Sequence, residues 1–181
     1  MELRRPSLAD KDAVLEMIAE FEASNSCMYG GAVSFWQKNK NYEEWLELAV
    51  RKERAEYRSS DRVPSVQYLS FDETGLPLGF LSLRLGMNES ICTKFGHIGY
   101  SIRPSKRRQG LAKEQLKLGL EEAFKHGLDC VLITCNVNNE GSRRTILATG
   151  GVYDNTIDGN ERYWIDLEGK NEQSQTTRME E

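Results

Sequence analysis

Residues 96–127 read GHIGYSIRPSKRRQGLAKEQLKLGLEEAFKHG, and the order of patterns in this stretch decides the fold. Ile98, Tyr100 and Ile102 alternate with His97, Gly99 and Ser101, the period of a half-buried strand. Pro104, which has no N–H, stops the ladder. From Ala112 the apolar residues Leu116, Leu120, Ala123 and Phe124 recur at helical spacing, and Gly127 after Lys125 and His126 is a C-terminal stop that suits the helix dipole. The helix is therefore expected to begin between Gly110 and Ala112. Its first-turn N–H groups are unpaired and partly positive, and Gly110 has no Cβ to hold an anion away from them. Between Ser101 and Lys113 the chain carries Arg103, Lys106, Arg107, Arg108 and Lys113 with no acidic residue, in a protein of net charge −4. A strand thus feeds a local anion cradle at a helix N-terminus.

Downstream, the apolar run Cys130-Val131-Leu132-Ile133-Thr134-Cys135 reads as the next strand, so strand, helix and strand demand a parallel pair with a right-handed crossover. Val152–Asn155 and Arg162–Leu167 form a hairpin across Asp158-Gly159. Upstream, Leu3–Arg5 is a first strand, and Ser7 with Asp10 forms a capping box for a helix that turns Val14, Ile18 and Phe21 inward. No period survives from Glu22 to Asn41, which reads as a long loop. Its Tyr29, Phe35 and Gly30-Gly31 suit a functional lid over an acceptor pocket. A second box, Asn41 with Glu44, starts a helix with Trp45, Leu48 and Ala49 inward, and Val66–Phe71 and Leu78–Leu85 pair through Asp72-Glu73-Thr74-Gly75. The expected fold class is α/β (α+β): a mixed, mostly antiparallel sheet of about seven strands with one parallel pair, flanked on both faces by about four helices. One domain spans residues 1–167, and the polar tail from 168 to 181 is expected to be disordered.

Composition narrows the classes further. A chain of 181 residues buries about 70% of its unfolded surface as one domain. Cys27, Cys92, Cys130 and Cys135 form no C-x-x-C pair, and buried free thiols in a reducing cytoplasm are expected. Cys130 and Cys135, five apart on one strand, should face opposite sides. No apolar leader follows Met1, and no 18 apolar residues run together, so a soluble cytoplasmic protein is expected, with no membrane partner. The net acidic charge argues against nucleic acid and favours cationic acceptors. With only His97 and His126, neither H-E-x-x-H nor a zinc-spaced Cys/His set exists, and no metal is expected. Neither a G-x-x-x-x-G-K-[ST] loop nor a G-x-S-x-G turn occurs, which removes the ATPase and serine-triad readings. Trp36, Tyr42 and Trp45 read as packing rather than a nucleobase platform.

Arg107-Arg108-Gln109-Gly110-Leu111-Ala112, an R-x-x-G-x-A motif after a strand, resembles the acetyl-CoA-binding signature of the GNAT superfamily of N-acetyltransferases. Ile102 stands five residues before the motif arginine, Asn139-Glu140-Gly141-Ser142 is similar to the N-x-x-S opening of the family's fourth helix, and Gly150-Gly151-Val152 is similar to the family's "GF" pair. The resemblance covers residues 1 to about 167. It looks closest to predicted bacterial acetyltransferases similar to the ribosomal-protein acetyltransferases.

The resemblance implies acetyl-CoA as cosubstrate. Backbone N–H groups of Arg108, Gln109, Gly110, Leu111, Ala112 and Lys113 would hold the pyrophosphate beside Arg107, backbone at Ile102 and Arg103 the pantetheine amides, and Asn139 and Ser142 the far wall. It also implies direct attack by a primary amine, a small molecule or a peptide N-terminus, with a homodimer left open. The family's usual thiolate-protonating tyrosine falls at Ile146, so Ser142, Tyr100 or water must serve. His97 is the candidate general base by position and ordinary pKa, against a hydrogen-bonded structural role; Glu140 is a second titratable residue, against a solvated carboxylate at a helix start. Neutralising a lysine amine at pH 7 costs about 4.6 kcal/mol and an α-amine about 1.4, so a weak base suffices for the second. A non-catalytic acyl-CoA-binding module of the same fold is the alternative to an enzyme.

Overall fold

The structure, a computed structural model, describes residues 1–168. The expected tail lies outside the described residues, apart from Glu168. In chain order the elements are β1 (Glu2–Arg4), α1 (Lys11–Ala23), α2 (Val33–Lys38), α3 (Tyr42–Glu53), β2 (Ser65–Phe71), β3 (Pro77–Arg84), β4 (Ile98–Ile102), α4 (Leu111–Lys125), β5 (Cys130–Asn136), α5 (Glu140–Ala148), β6 (Val152–Ile157) and β7 (Asn160–Asp166). Single helical turns fill several connections.

Local chemistry sets most boundaries. The Ser7 amide donates to Asp10 Oδ2 at 2.8 Å and forms the expected capping box on the single turn that leads into α1, whereas at α3 only half of the expected box is present, the Glu44 amide donating to Asn41 Oδ1 at 3.1 Å as an N-cap. Asp72 Oδ1 gathers the amides of Thr74 and Leu76 and closes the β2–β3 hairpin.

Seven strands are present, but they form two sheets, ordered β1-β2-β3-β4 and β5-β7-β6, and every paired neighbour is antiparallel. The expected parallel pair, β4 with β5, is not a ladder. Its backbone contact is the His97 amide donating to the Leu132 carbonyl at 2.6 Å, after which the strands diverge. Among the described residues there are five α-helices where about four were expected, because α2 lies inside the stretch read as a loop; α1 also runs on into that stretch, to Ala23. A six-residue helix is too short to print a period, and its N-cap, Ala32, carries no capping side chain and sits in the left-handed region.

Both faces of the first sheet are covered. Val66, Tyr68, Leu81, Leu83 and Ile98 pack beneath α4 with Leu116 and Leu120, and against Val131, Ile133 and Ile165 of the second sheet. Leu69, Phe71 and Phe80 point the other way, into Val14, Met17, Phe21, Trp36, Tyr42 and Trp45. The alternation within β2 and β3 sends neighbours to opposite cores. Trp36, Tyr42 and Trp45 are core residues, with the Trp36 and Tyr42 ring centroids 5.8 and 5.4 Å from that of Trp45. Cys135 is buried while Cys130 is exposed, which puts them on opposite sides. The expectation of buried thiols holds for Cys135 alone, since Cys27 and Cys130 are exposed and Cys92 is half-buried.

Candidate functional site

Where β4 and β5 part, they leave a cleft of about 750 Å³, lined by Ile98–Ile102 on one side and Thr134–Asn136 with the start of α5 on the other. The backbone of β4 supplies its inner edge. Arg84 N–H donates to His97 O, and Arg103 N–H to Leu78 O, both at 2.8 Å across β3. Alternation along an antiparallel ladder then gives the odd-numbered residues between them to β3 and turns the amides and carbonyls of Ile98, Tyr100 and Ile102 toward the gap. Arg107 Nε donates to the Ile102 carbonyl at 2.9 Å.

At one end the cleft meets the N-terminus of α4. Arg108 and Gly110 adopt φ values of 60° and 80°, which turn the chain into the helix, and nothing lies within 4 Å of where a Gly110 Cβ would stand. Leu111 and Ala112, whose first-turn amides have no helical partner, line the cleft there with Lys106, Arg107, Arg108 and Lys113 around them, whereas the Lys113 amide, expected among the anion-binding groups, donates to the Gly110 carbonyl at 3.0 Å. An anion of phosphate size fits there.

Midway along the cleft, Tyr100 Oη and Ser142 Oγ lie 3.0 Å apart and join β4 to the start of α5. Asn139 Oδ1 accepts the Ser142 amide at 3.1 Å as helix N-cap, which fixes the serine. Burial pushes the Tyr100 phenol up to about 12, so it remains a proton donor at any physiological pH. Cys135 also lines the cleft, and burial together with Glu161 pushes its thiol up to about 11. It is no nucleophile at neutral pH.

The segment between α1 and α2 forms an outer wall. Ser101 Oγ donates to Tyr29 O at 2.7 Å, Gln67 Nε2 to Gly30 O at 2.8 Å, and Arg107 Nη2 to Ser26 Oγ at 2.7 Å. Gly30 has φ 79°, and a Cβ there would lie 2.3 Å from Gly99 O, so the wall touches β4 directly. Tyr29 lines the cleft and is 55% exposed, whereas Phe35 packs edge-on to Trp36 and is not part of the lining.

Residues 1–152 match the family model for the acetyltransferase (GNAT) domain. The chain belongs to the GNAT acetyltransferases. None of the curated proteins compared with it matches in sequence. Solved structures similar to it include a ribosomal-protein-S5-alanine acetyltransferase from Vibrio fischeri (TM-score 0.68, 12% identity, 92% of each chain). RimJ of Mycobacterium smegmatis in complex with a CoA disulfide is similar too (TM-score 0.68, 16% identity, 92% of this chain and 82% of that one). So is a point mutant of the spermidine N-acetyltransferase SpeG from Vibrio cholerae (TM-score 0.62, 16% identity, 96% of this chain and 99% of that one). At these identities the likeness is one of fold.

On this GNAT frame the structure gathers Ile102, Arg107, Arg108, Gly110, Leu111, Ala112, Lys113, Asn139 and Ser142 along one cleft. Three expected residues are not in its lining. Gln109 is exposed on the turn. Arg103 is 4% exposed and points away, with Nε on Glu20 Oε2 at 2.7 Å and Nη1 on Pro77 O at 3.2 Å, so its cation anchors β4 to α1. His97 is 5% exposed at the apex of the gap, where Nδ1 accepts the Leu132 amide at 2.9 Å. Burial, then Arg84, hold its imidazole below the usual value. A ring accepting through Nδ1 carries its proton on Nε2 and has no lone pair left to take one from a substrate. Glu140, on the outside of α5, is paired with Arg144 and Arg143, which hold its carboxyl below the usual range. Among the described residues the cleft lining contains no Asp, Glu or His. Arg84, Lys94 and Phe95, which the motif reading passed over, line the end opposite the α4 N-terminus.

Among the described residues no group of three or more His, Cys, Asp or Glu is placed to hold a metal ion, and no helix is long and apolar enough to cross a membrane.

Proposed function

We propose that this chain is an acetyl-CoA-dependent N-acetyltransferase that moves the acetyl group to a primary amine, of a small molecule or a peptide N-terminus, by direct attack. The observation that carries the reading is the gap between β4 and β5. It joins an open helix N-terminus with its basic cluster to a run of strand backbone turned into the gap and then to a hydroxyl pair, in the order that pyrophosphate, pantetheine and thioester occur in acetyl-CoA.

Acetyl-CoA supplies an activated thioester; the chain supplies position, charge and hydrogen bonds. The amides from Gly110 to Ala112, with Arg107 and Arg108, hold the pyrophosphate. Ile102 offers backbone to the pantetheine amides. An amide of Ile98 or Tyr100, turned into the gap, donates to the thioester oxygen as negative charge builds there, and such a donor is worth about 3 kcal/mol in other enzymes. The Tyr100 hydroxyl, held by Ser142, donates to the departing sulfur. A phenol near 12 is too weak an acid to hand its proton outright to a thiolate whose conjugate acid has a pKa of about 8.5, so its part is hydrogen bonding, and the proton released from nitrogen reaches sulfur through water. With no carboxylate or imidazole among the described residues of the lining, the amine arrives neutral or loses its proton to water. That favours an α-amine near pKa 8 over a lysine side chain. The His97 ring acts as a clamp rather than a base. The free cysteines suit the cytoplasm.

Thiol release from acetyl-CoA across a panel of primary amines, with mass spectrometry of the acetylated product, tests the proposal. Turnover of any one amine establishes it, and tight coenzyme A binding with no turnover between pH 6 and 9 overturns it.

A further inference from the structure

The cleft is positively charged at both ends, and the cofactor accounts for one of them. Lys106, Arg107, Arg108 and Lys113 surround the α4 N-terminus, where a pyrophosphate sits in the reading above. Arg84 and Lys94 lie at the other end, beyond the start of β4. Four residue steps separate Ile98 from Ile102, roughly 13 Å of strand, so one diphosphate cannot serve both clusters.

Arg84 is an unusual cation. It ends β3, it is partly buried, and no carboxylate among the described residues pairs with it. Nη1 donates to the Gly96 carbonyl at 3.0 Å and lies 3.7 Å from where a Gly99 Cβ would stand, beside the Gly30 wall. Its Nη2 and Nε have no acceptor among the described residues. Phe95 is bracketed by two cations, with Arg84 Cζ and Lys94 Nζ each 5.5 Å from the ring centroid. Removal of water pulls the Arg84 guanidinium down to about 10, and Lys52, close behind it on α3, is held below its usual value by burial and by Arg84. A half-desolvated guanidinium with free donors and no counter-ion is a recognition group for an anion.

We propose that Arg84 binds an anionic group on the acceptor, so that the acceptor class is a primary amine carrying a carboxylate or phosphate near its nitrogen, and not a polyamine. The proposal deepens the acetyltransferase reading and rests on it. With six basic residues and no acidic one among the described residues of the lining, a polycation meets repulsion at the Arg84 end that no cofactor phosphate relieves, whereas an amine attached to an anion brings the missing countercharge. The same positive wall disfavours the ammonium form of the acceptor beside it, which supplies without a base residue part of the deprotonation that attack requires. Local charge thereby reverses the preference for cationic acceptors expected from the net charge.

The test compares glutamate, 2-aminoethyl phosphate, butylamine and spermidine as acceptors for the wild type, Arg84→Gln, Arg84→Lys and Arg84→Glu, with coenzyme A affinity by calorimetry as the control for folding. Glutamate or 2-aminoethyl phosphate should exceed butylamine in kcat/KM by on the order of 10², the worth of a charge-assisted hydrogen-bond pair, and whichever leads identifies carboxylate or phosphate. Spermidine should fall below butylamine. Arg84→Gln should remove the anionic preference chiefly through KM, Arg84→Lys should restore part of it, and Arg84→Glu should move the preference toward spermidine. Spermidine leading in the wild type, or a preference unchanged in Arg84→Gln and Arg84→Glu, overturns the proposal. If the wild type turns over no amine, the acetyltransferase reading fails by itself. Calorimetric binding of glutamate or 2-aminoethyl phosphate to the coenzyme A-loaded protein then decides the anion site: binding lost in Arg84→Gln upholds it, and no binding to the wild type removes it.

Discussion

His97 and Leu132 exchange two hydrogen bonds where the sheets meet: the His97 amide donates to Leu132 O at 2.6 Å, and Leu132 N–H donates to His97 Nδ1 at 2.9 Å. A side chain thus completes what the next backbone rung would have provided had β4 and β5 continued as a ladder. Beyond that point neither strand has its neighbour, and the gap opens.

His97→Asn keeps an acceptor where Nδ1 stands and removes the titration. We expect it to retain kcat/KM within about threefold, where loss of a general base would cost on the order of 10² or more. His97→Leu should cost about 1–3 kcal/mol, because the Leu132 amide is left without a partner. The folded pKa is depressed, so the unfolded chain binds the proton more readily. Stability is therefore full above the unfolded value of about 6.5 and is lost as pH falls from there toward the folded value. Urea unfolding of wild type and His97→Asn at pH 7.5 and 5.5 should show the larger loss in the wild type, and equal losses would count against the clamp.

Gly110 and Gly127, at opposite ends of α4, share a φ of 80° and open surroundings. Asp at either position meets the same backbone strain, about 1 kcal/mol. Only at Gly110 does the carboxylate also stand where the pyrophosphate is proposed to bind. Coenzyme A affinity, read by calorimetry, should drop at least tenfold in Gly110→Asp and hold in Gly127→Asp.

Tyr100→Phe removes the hydroxyl that faces Ser142 and leaves the strand backbone alone. We expect kcat to fall by about 10- to 100-fold, the worth of one hydrogen bond to a developing charge, with coenzyme A affinity unchanged. Because the phenol sits near 12, no fall in kcat below pH 10 should be traceable to it. Ser142→Ala should act in the same direction and more weakly.

Tyr29 and Phe35 separate the lining from the core. Tyr29→Ala should change the acceptor KM and spare stability. Phe35→Ala should do the reverse, lowering stability by on the order of 2 kcal/mol with KM unmoved, as thermal unfolding and steady-state kinetics on the two variants would show.

What the sequence disclosed is what lies within a few residues of itself. The alternation from His97 to Ile102, the stop at Pro104 and the spacing from Ala112 to Phe124 each depend on neighbours, so strand, turn and helix were legible, as were the box at Ser7 and the N-cap at Asn41. The parting of β4 from β5 was not. Two parallel strands with apolar faces look alike whether they pair or splay, and the deciding contact joins residues 35 apart. Arg103 shows the same limit, since it stands in a run of exposed cations but is withdrawn by Glu16 and Glu20 from more than 80 residues away. Arg84 left no trace, because an arginine ending a strand is ordinary until its surroundings prove to hold no acid. The segment read as one loop hid α2, whose Trp36 is placed by tertiary packing and not by period.

The wall that carries Tyr29 is stapled to the first sheet at Ser101 and Gln67 and to the turn before α4 at Arg107, and Gly30 leaves no clearance between that wall and β4. A molecule approaching the cleft therefore meets a wall held to the sheet by its backbone, so that the shape of the entrance is set by main-chain contacts rather than by the side chains that line it.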